Sequence, residues 1–365
     1  MKFSVTLRWA SYLLACYIPV LCIGQPRSEQ TRHLFDNLQS LAKTNVLFGH
    51  QDDLAYGVHW KKERHRSDIK DVCGDYPAVF GWEIGHIGQS EYSLDTVWFK
   101  DMRKWIREAY HLGGVNTISW HLNNPCTGGS AWDNTACIHD ILPGGPKHQV
   151  YLDQLRAVGD FIGSLRTGLL SKKRIPVIFR PFHEHSGGWF WWGKGHTTAE
   201  DYIALYRFTV DYLRKERGLD NVLICYSPDV VPDTTAYLEF YPGDEYVDLM
   251  GLDDYHDVGQ RDHAGDLTKR LHFLVELAES RGKIPVLSET GLNGIPDPEW
   301  WTGVLWSAIA GDPVASRIAY LMVWRNARTN HHYGPYRGHA SAADFVKFVQ
   351  DPRVLTVSEL PDLYH

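Results

Sequence analysis

Eight apolar, β-branched runs separated by amphipathic helical patterns, with no break in composition over 365 residues, predict a single-domain (β/α)8 TIM barrel of the α/β class. The runs occupy 46–48, 79–82, 115–120, 176–179, 222–226, 247–252, 284–287 and 318–324. Their apolar character is continuous rather than alternating, as in strands covered on both faces. Between them, Leu267, Leu271, Leu274, Val275 and Ala278 fall on one face of a helix that ends before Gly282. Thr197 with Glu200 predicts a capping box for a helix over 201–217, stopped by Gly218. An open doubly wound sheet would place a Gly-rich phosphate turn after its first strand; the chain has GHQDDLAYG there instead. The longest insertion, 122–150, is polar and rich in Gly and Pro, and is assigned to the mouth of the barrel.

The amino end has a different character. A basic start over 1–8, an apolar stretch over 9–21 and small residues before Gln25 predict a secretory signal over 1–24, too short for a stable membrane span. A cut before Cys16, after Leu13-Leu14-Ala15, is the weaker, lipoprotein-like alternative. Residues 25–365 are then the barrel domain, exported to the periplasm or the exterior. Without Lys2 and Arg8 it carries 35 basic against 44 acidic residues, a balance of −9. Such a surface argues against nucleic acid and anionic membranes as partners and suits a neutral substrate. A monomer with no membrane span is expected.

Of the four cysteines beyond residue 24, Cys126 and Cys137 have ten residues between them in a loop-like stretch and are expected to form a disulfide. Cys225, inside an apolar run, reads as a buried thiol. The nineteen histidines are scattered. His183 and His185 straddle a glutamate without the i, i+4 spacing of a zinc helix, so neither a metal nor another cofactor is expected.

In a barrel of this kind chemistry sits at the carboxyl ends of the strands, so the residues after each run carry the functional reading. The third run ends in Ser119-Trp-His121, and the fourth in RPFHEHSGGWFWWG over 180–193. The sixth closes on Asp253-Asp-Tyr255, the seventh on Ser288-Glu-Thr-Gly291 and the eighth on Trp324-Arg-Asn326. A single glutamate at such a place more often caps a helix or pairs with an arginine. Two of them, Glu184 and Glu289, both in Gly-rich turns and converging with Trp, Tyr, His and Arg on one rim, are the equipment of glycosidic bond cleavage. One carboxyl keeps its proton for the leaving oxygen while the other stays ionised. Trp82, Trp192 and Trp306 are open to a reading as core or rim packing, which is the better one for Trp306 inside its helical pattern.

Several of these motifs in this order, with FGHQ near the start and YPGDEYVDLMGLDDY before the end of the sixth run, resemble glycoside hydrolase family 26, chiefly β-mannanases. The resemblance runs from about Val46 to Asn326. It implies a barrel that cleaves β-1,4-mannan or its oligosaccharides by a retaining double displacement without a metal. By position, Glu184 matches the acid/base and Glu289 the nucleophile. His121, His183, Trp189, Tyr255 and Trp324 match residues around the cleaved sugar, Arg325 a contact to the next sugar outward, and Asp253 a polar substrate contact. His183 stands where many related barrels carry Asn. Trp189 and Trp324 are expected to stack and shape the site without tuning its carboxyls. Alternatives are a same-fold hydrolase of mixed-linkage glucan or xylan, and a catalytically silent glycan-binding barrel.

Overall fold

Parallel strands pair in sequence order until the last returns to the first. They are β1 (Val46–Gln51), β2 (Val79–Glu83), β3 (Val115–Ser119), β4 (Val177–Arg180), β5 (Val222–Tyr226), β6 (Leu249–Asp254), β7 (Ile284–Thr290) and β8 (Tyr320–Val323). Leu47 pairs with Tyr320 and His50 with Val323, which closes the barrel. A short strand, Val354–Leu355, lies against the start of β1. This computed structural model describes residues 27–168, 170–259 and 263–365. The expected signal over 1–24 and the alternative site at Cys16 lie outside the described residues.

All eight runs form barrel strands, and the alternation along each strand explains why apolar residues occupy both faces. Leu47, Val79, Val115, Ile178, Leu223 and Leu249 belong to a cluster inside the barrel. Their neighbours Val46, Phe48, Phe80, Phe179 and Ile224 pack outward into the larger cluster under the helices. The main helices are α1 (Glu29–Leu41), α2 (Phe99–His111), α3 (His148–Ser164), α4 (Ala199–Asp211), α5 (Ala264–Ser280) and α6 (Ala342–Val349). Helix α5 buries Leu267, Leu271, Leu274, Val275 and Ala278, the face read from their spacing. Gly81 marks a close approach: a Cβ there would lie 2.0 Å from Gln51 Oε1.

Two boundaries differ from the sequence reading. Strands β6 and β7 run past their apolar stretches, because the ladder continues through Asp253↔Glu289 and Asp254↔Thr290 after a register shift. The ends of these strands are therefore polar and in regular structure. Helix α4 starts at Ala199 rather than Asp201. Its cap is Thr198, whose Oγ1 accepts from Asp201 N at 3.1 Å; Thr197 Oγ1 turns instead to the Thr198 carbonyl. Thr198 holds an extended backbone, φ −87° and ψ 159°, from which its oxygen reaches the first turn. The helix passes into a π segment, Tyr212–Glu216, before Gly218 at φ 58°.

Among the described residues no helix is long and apolar enough to cross a membrane. The cap assignment predicts that Thr198→Ala costs about 1 kcal/mol in urea unfolding, while Thr197→Ala changes stability by less than about 0.5 kcal/mol. Equal losses for the two variants would reject it.

Candidate active site

The residues after β4 set the geometry. Phe182 and Glu184 both hold positive φ, 51° and 54°, a region that side chains other than glycine enter at a cost of about 1–3 kcal/mol each. The aromatic residues around them hold the turn in place. Phe182 packs against Trp120, Trp192, Tyr202 and Tyr206, and its carbonyl accepts from Tyr202 Oη at 2.9 Å. Trp192 Nε1 donates to the His183 carbonyl at 2.8 Å, and Glu184 N donates to Ser227 O at 2.8 Å. His185 is buried between Tyr226 Oη (2.9 Å) and Tyr202 Oη (3.2 Å). Burial, reinforced by Lys194, pushes it down to about 3, so it is neutral and structural.

The two glutamates face the same cleft, of about 500 Å³, with different partners. Glu289 Oε1 accepts from Arg180 Nη2, and its Oε2 accepts from Tyr255 Oη at 3.0 Å. Glu184 Oε2 accepts from Trp189 Nε1 at 2.8 Å. Burial first, then the charges of Glu289 and Asp229, push Glu184 up to about 8. Trp189 is therefore more than a stacking platform. Its indole N–H favours the ionised form of Glu184 and partly offsets the upward push, which corrects the expectation that it leaves the carboxyls alone.

His121 stands beside them on a second buried acid. Its Nδ1 lies 2.7 Å from Glu83 Oε2, its N donates to Glu83 Oε1 at 2.8 Å, and Ser119 Oγ donates to Glu83 Oε2 at 2.7 Å. Burial alone would lower the His121 pKa; the Glu83 carboxylate outweighs it and the net shift is upward. His183 Nε2 lies 3.3 Å from His121 Nε2, and burial with the nearby Arg180 charge holds His183 well below the usual imidazole range. Two facing ring nitrogens need one proton between them, which these opposite shifts supply from His121.

Of the residues expected at the site, His121, Glu184, Trp189, Tyr255, Glu289, Trp324 and Arg325 line the cleft. His183 is 1% exposed and lies behind His121. Asp253 is fully buried: its carboxylate accepts from Arg180 Nη1 (2.6 Å) and Ser288 Oγ (2.7 Å). It sits under the floor and positions Arg180, so the expected substrate contact is corrected to a supporting one.

The cleft also takes Leu94, Asp95, Trp132, Phe190, His331 and Tyr333, which the sequence reading did not single out. Trp132 belongs to the 122–150 insertion, where Cys126 and Cys137 are joined with their Cα atoms 5.8 Å apart. It stacks on His121 at 5.3 Å and 18°, and the neighbouring Ala131 carbonyl accepts from Trp191 N. Glu83 was within reach of the sequence: it directly follows the second apolar run.

Among the described residues, one group could offer three ligands to a metal: Asp257, His263 and Asp266. None of them lines the cleft, and Asp257 already accepts from Arg270 Nε at 2.7 Å. For the Glu83–His121 pair, Glu83→Gln removes the charge that raises the imidazole. The His121 pKa should then fall in an NMR titration; an unchanged value would mean that Glu83 does not set it.

The family profile of Glycosyl hydrolase family 26 matches residues 24–322. A mannan endo-1,4-β-mannosidase of Bifidobacterium adolescentis is 33% identical over 91% of this chain, and one of Bacillus subtilis is 30% identical over 63%. The chain spans 35% of the first relative's length and 65% of the second's. A solved GH26 β-mannanase from Bacteroides ovatus superposes with a TM-score of 0.87 at 43% identity, covering 93% of this chain and 98% of that one. A modular endo-β-1,4-mannanase from Cellulomonas fimi gives 0.86 at 34% identity, covering 93% and 78%. With the barrel, the paired glutamates and these likenesses together, the chain belongs to glycosyl hydrolase family 26.

Proposed function

We propose that this protein is an exported, retaining endo-β-1,4-mannanase acting on mannan, galactomannan, glucomannan or their oligosaccharides. The observation that carries the reading is the contrast between two carboxyls in one cleft. Glu184 is pushed up to about 8, whereas Glu289 receives a guanidinium and a phenol, the partners of a carboxylate. The names of the relatives support mannan as the substrate class.

In this reaction Glu184 donates its proton to the glycosidic oxygen as Glu289 attacks the anomeric carbon, forming a glycosyl ester and releasing the leaving sugar. Glu184, now ionised, takes a proton from water, which attacks the same carbon and frees Glu289. Arg180 and Tyr255 orient the attacking carboxylate. Trp324, Trp189 and His121 border the reacting sugar, and Arg325 reaches the next one outward. His183 acts through His121.

Incubation with mannan, mixed-linkage glucan and xylan tests the substrate: new reducing ends from mannan are expected, and their absence with every glycan would reject the reading. NMR of the first-formed product should show the β-anomer; an α-anomer first would mean inversion and a different role for Glu289. Glu184→Ala should recover turnover with azide and an activated aryl glycoside, whereas the same substrate should not rescue Glu289→Ala with retained configuration.

The pH profile has a defined sign. Because the acid form of Glu184 is required, kcat/KM falls as pH rises through about 8. Trp189→Phe removes a donor to the ionised form, so this alkaline limb should move upward. A limb that stays put would reject the role of the indole.

A further inference from the structure

The GHQDD stretch at the end of β1 takes no part in the reaction above, yet one of its carboxyls closes a ring of side chains at the cleft wall. Arg325 Nη1 donates to Tyr56 Oη at 3.3 Å, and Tyr56 Oη donates to Asp52 Oδ2 at 2.7 Å. On the other branch of the guanidinium, Arg325 Nη2 pairs with Asp95 Oδ1 at 3.0 Å. Asp52 Oδ1 and Asp95 Oδ2 are the oxygens left over. Both are buried, and counted as carboxylate oxygens neither has a donor. Two ionised carboxylates would leave both oxygens stranded, since each offers only lone pairs; one proton shared between them would satisfy the pair.

We infer that Asp52 is held protonated, donates to Asp95, and so acts as a positioning residue that fixes Asp95 and Arg325 in the cleft wall. This rests on the role of Arg325 in the proposed function. The proton sits on Asp52 because Asp95 faces the guanidinium directly, whereas Asp52 faces a neutral phenol. Tyr56 then bonds the carbonyl oxygen of the acid, and the hydroxyl is free for Asp95. The charge balance agrees: one proton makes the ring neutral, one cation against one anion. Without it a second anion would be buried there, with Glu83 also facing the pair. The other charged neighbour, His121, is engaged by Glu83. On the GHQDD stretch itself, His50 and Asp53 bond each other.

Electrostatics point the same way. Burial, then their mutual repulsion, pushes Asp52 well above the usual carboxylate range; burial raises Asp95 to about 6. The pair therefore keeps one shared proton through neutral pH. As pH rises further the proton leaves, the ring opens, and the outward sugar loses its fixed contacts. KM should climb while kcat follows Glu184.

The experiment compares the protein with Asp52→Asn and Asp52→Ala by infrared difference spectroscopy and by KM and kcat for manno-oligosaccharides across pH. The protonated-carboxyl band of Asp52 should vanish in Asp52→Asn, with Glu184→Gln locating the separate band of Glu184. The asparagine amide can still donate to Asp95 and accept from Tyr56, so its KM should lose the alkaline climb. Asp52→Ala strands Asp95, and its KM should rise about tenfold at every pH with a smaller change in kcat. The inference is overturned if Asp52→Asn keeps the band, or if it raises KM as much as Asp52→Ala. The infrared readout needs no substrate, so a protein that failed to cleave mannan would sink the proposed function and still test the ring.

Discussion

Arg180 is the cation on which the site is built. It is fully buried at the end of β4, where burial alone would penalise its charge, yet Asp253 and Glu289 more than offset that penalty and keep it protonated. Each arm has its own fixed partners, since Nη1 holds Asp253 and Ser227 while Nη2 holds Glu289. Three strand ends, β4, β6 and β7, are thus tied together by one planar group. Removing it would leave two buried carboxylates without a counter-charge, a loss of about 3–5 kcal/mol by analogy with broken buried pairs. The interaction supports the fold and presents Glu289 in one orientation.

The other glutamate depends on a different kind of restraint. Its backbone occupies a strained conformation that rings and main-chain bonds maintain from several sides, with Tyr202, Trp192 and the β5 end each taking one polar group. This accounts for a motif so dense in rings. Phe182, Trp191 and Trp192 are buried and do not line the cleft, while Trp189 and Phe190 do. Glu184 is thereby left buried with one donor, near the charges of Glu289 and Asp229, where the neutral form of a carboxyl is favoured.

Most of the barrel was legible in the sequence because a strand covered on both faces is mostly apolar on both, and eight such runs leave few other architectures. The carboxyl ends were legible for the same reason, since polar residues directly after a buried run stand out. Depth was not. Asp253 and Tyr255 are two residues apart, and only the register of β6 against β7 shows that one lies under Arg180 while the other reaches Glu289. Asp95, Trp132, His331 and Tyr333 come from loops whose approach to the cleft depends on how the barrel closes, so no local pattern marks them. The start of α4 was misplaced by the ambiguity of a Thr-Thr pair, which the observed cap bond resolves.

The insertion carrying Trp132 separates two inheritances within one cleft. Glu289 and its supports Arg180 and Asp253 lie within strands, so their spacing is a property of the barrel's register. Trp132, Asp95, His331 and Tyr333 ride on connections that can lengthen, shorten or exchange without disturbing that register. The walls of the cleft can therefore be redrawn while the placement of Glu289, Arg180 and Asp253 passes on unchanged. The disulfide ties one such wall into a closed loop whose inner residues Ala131 and Cys137 are packed into the core.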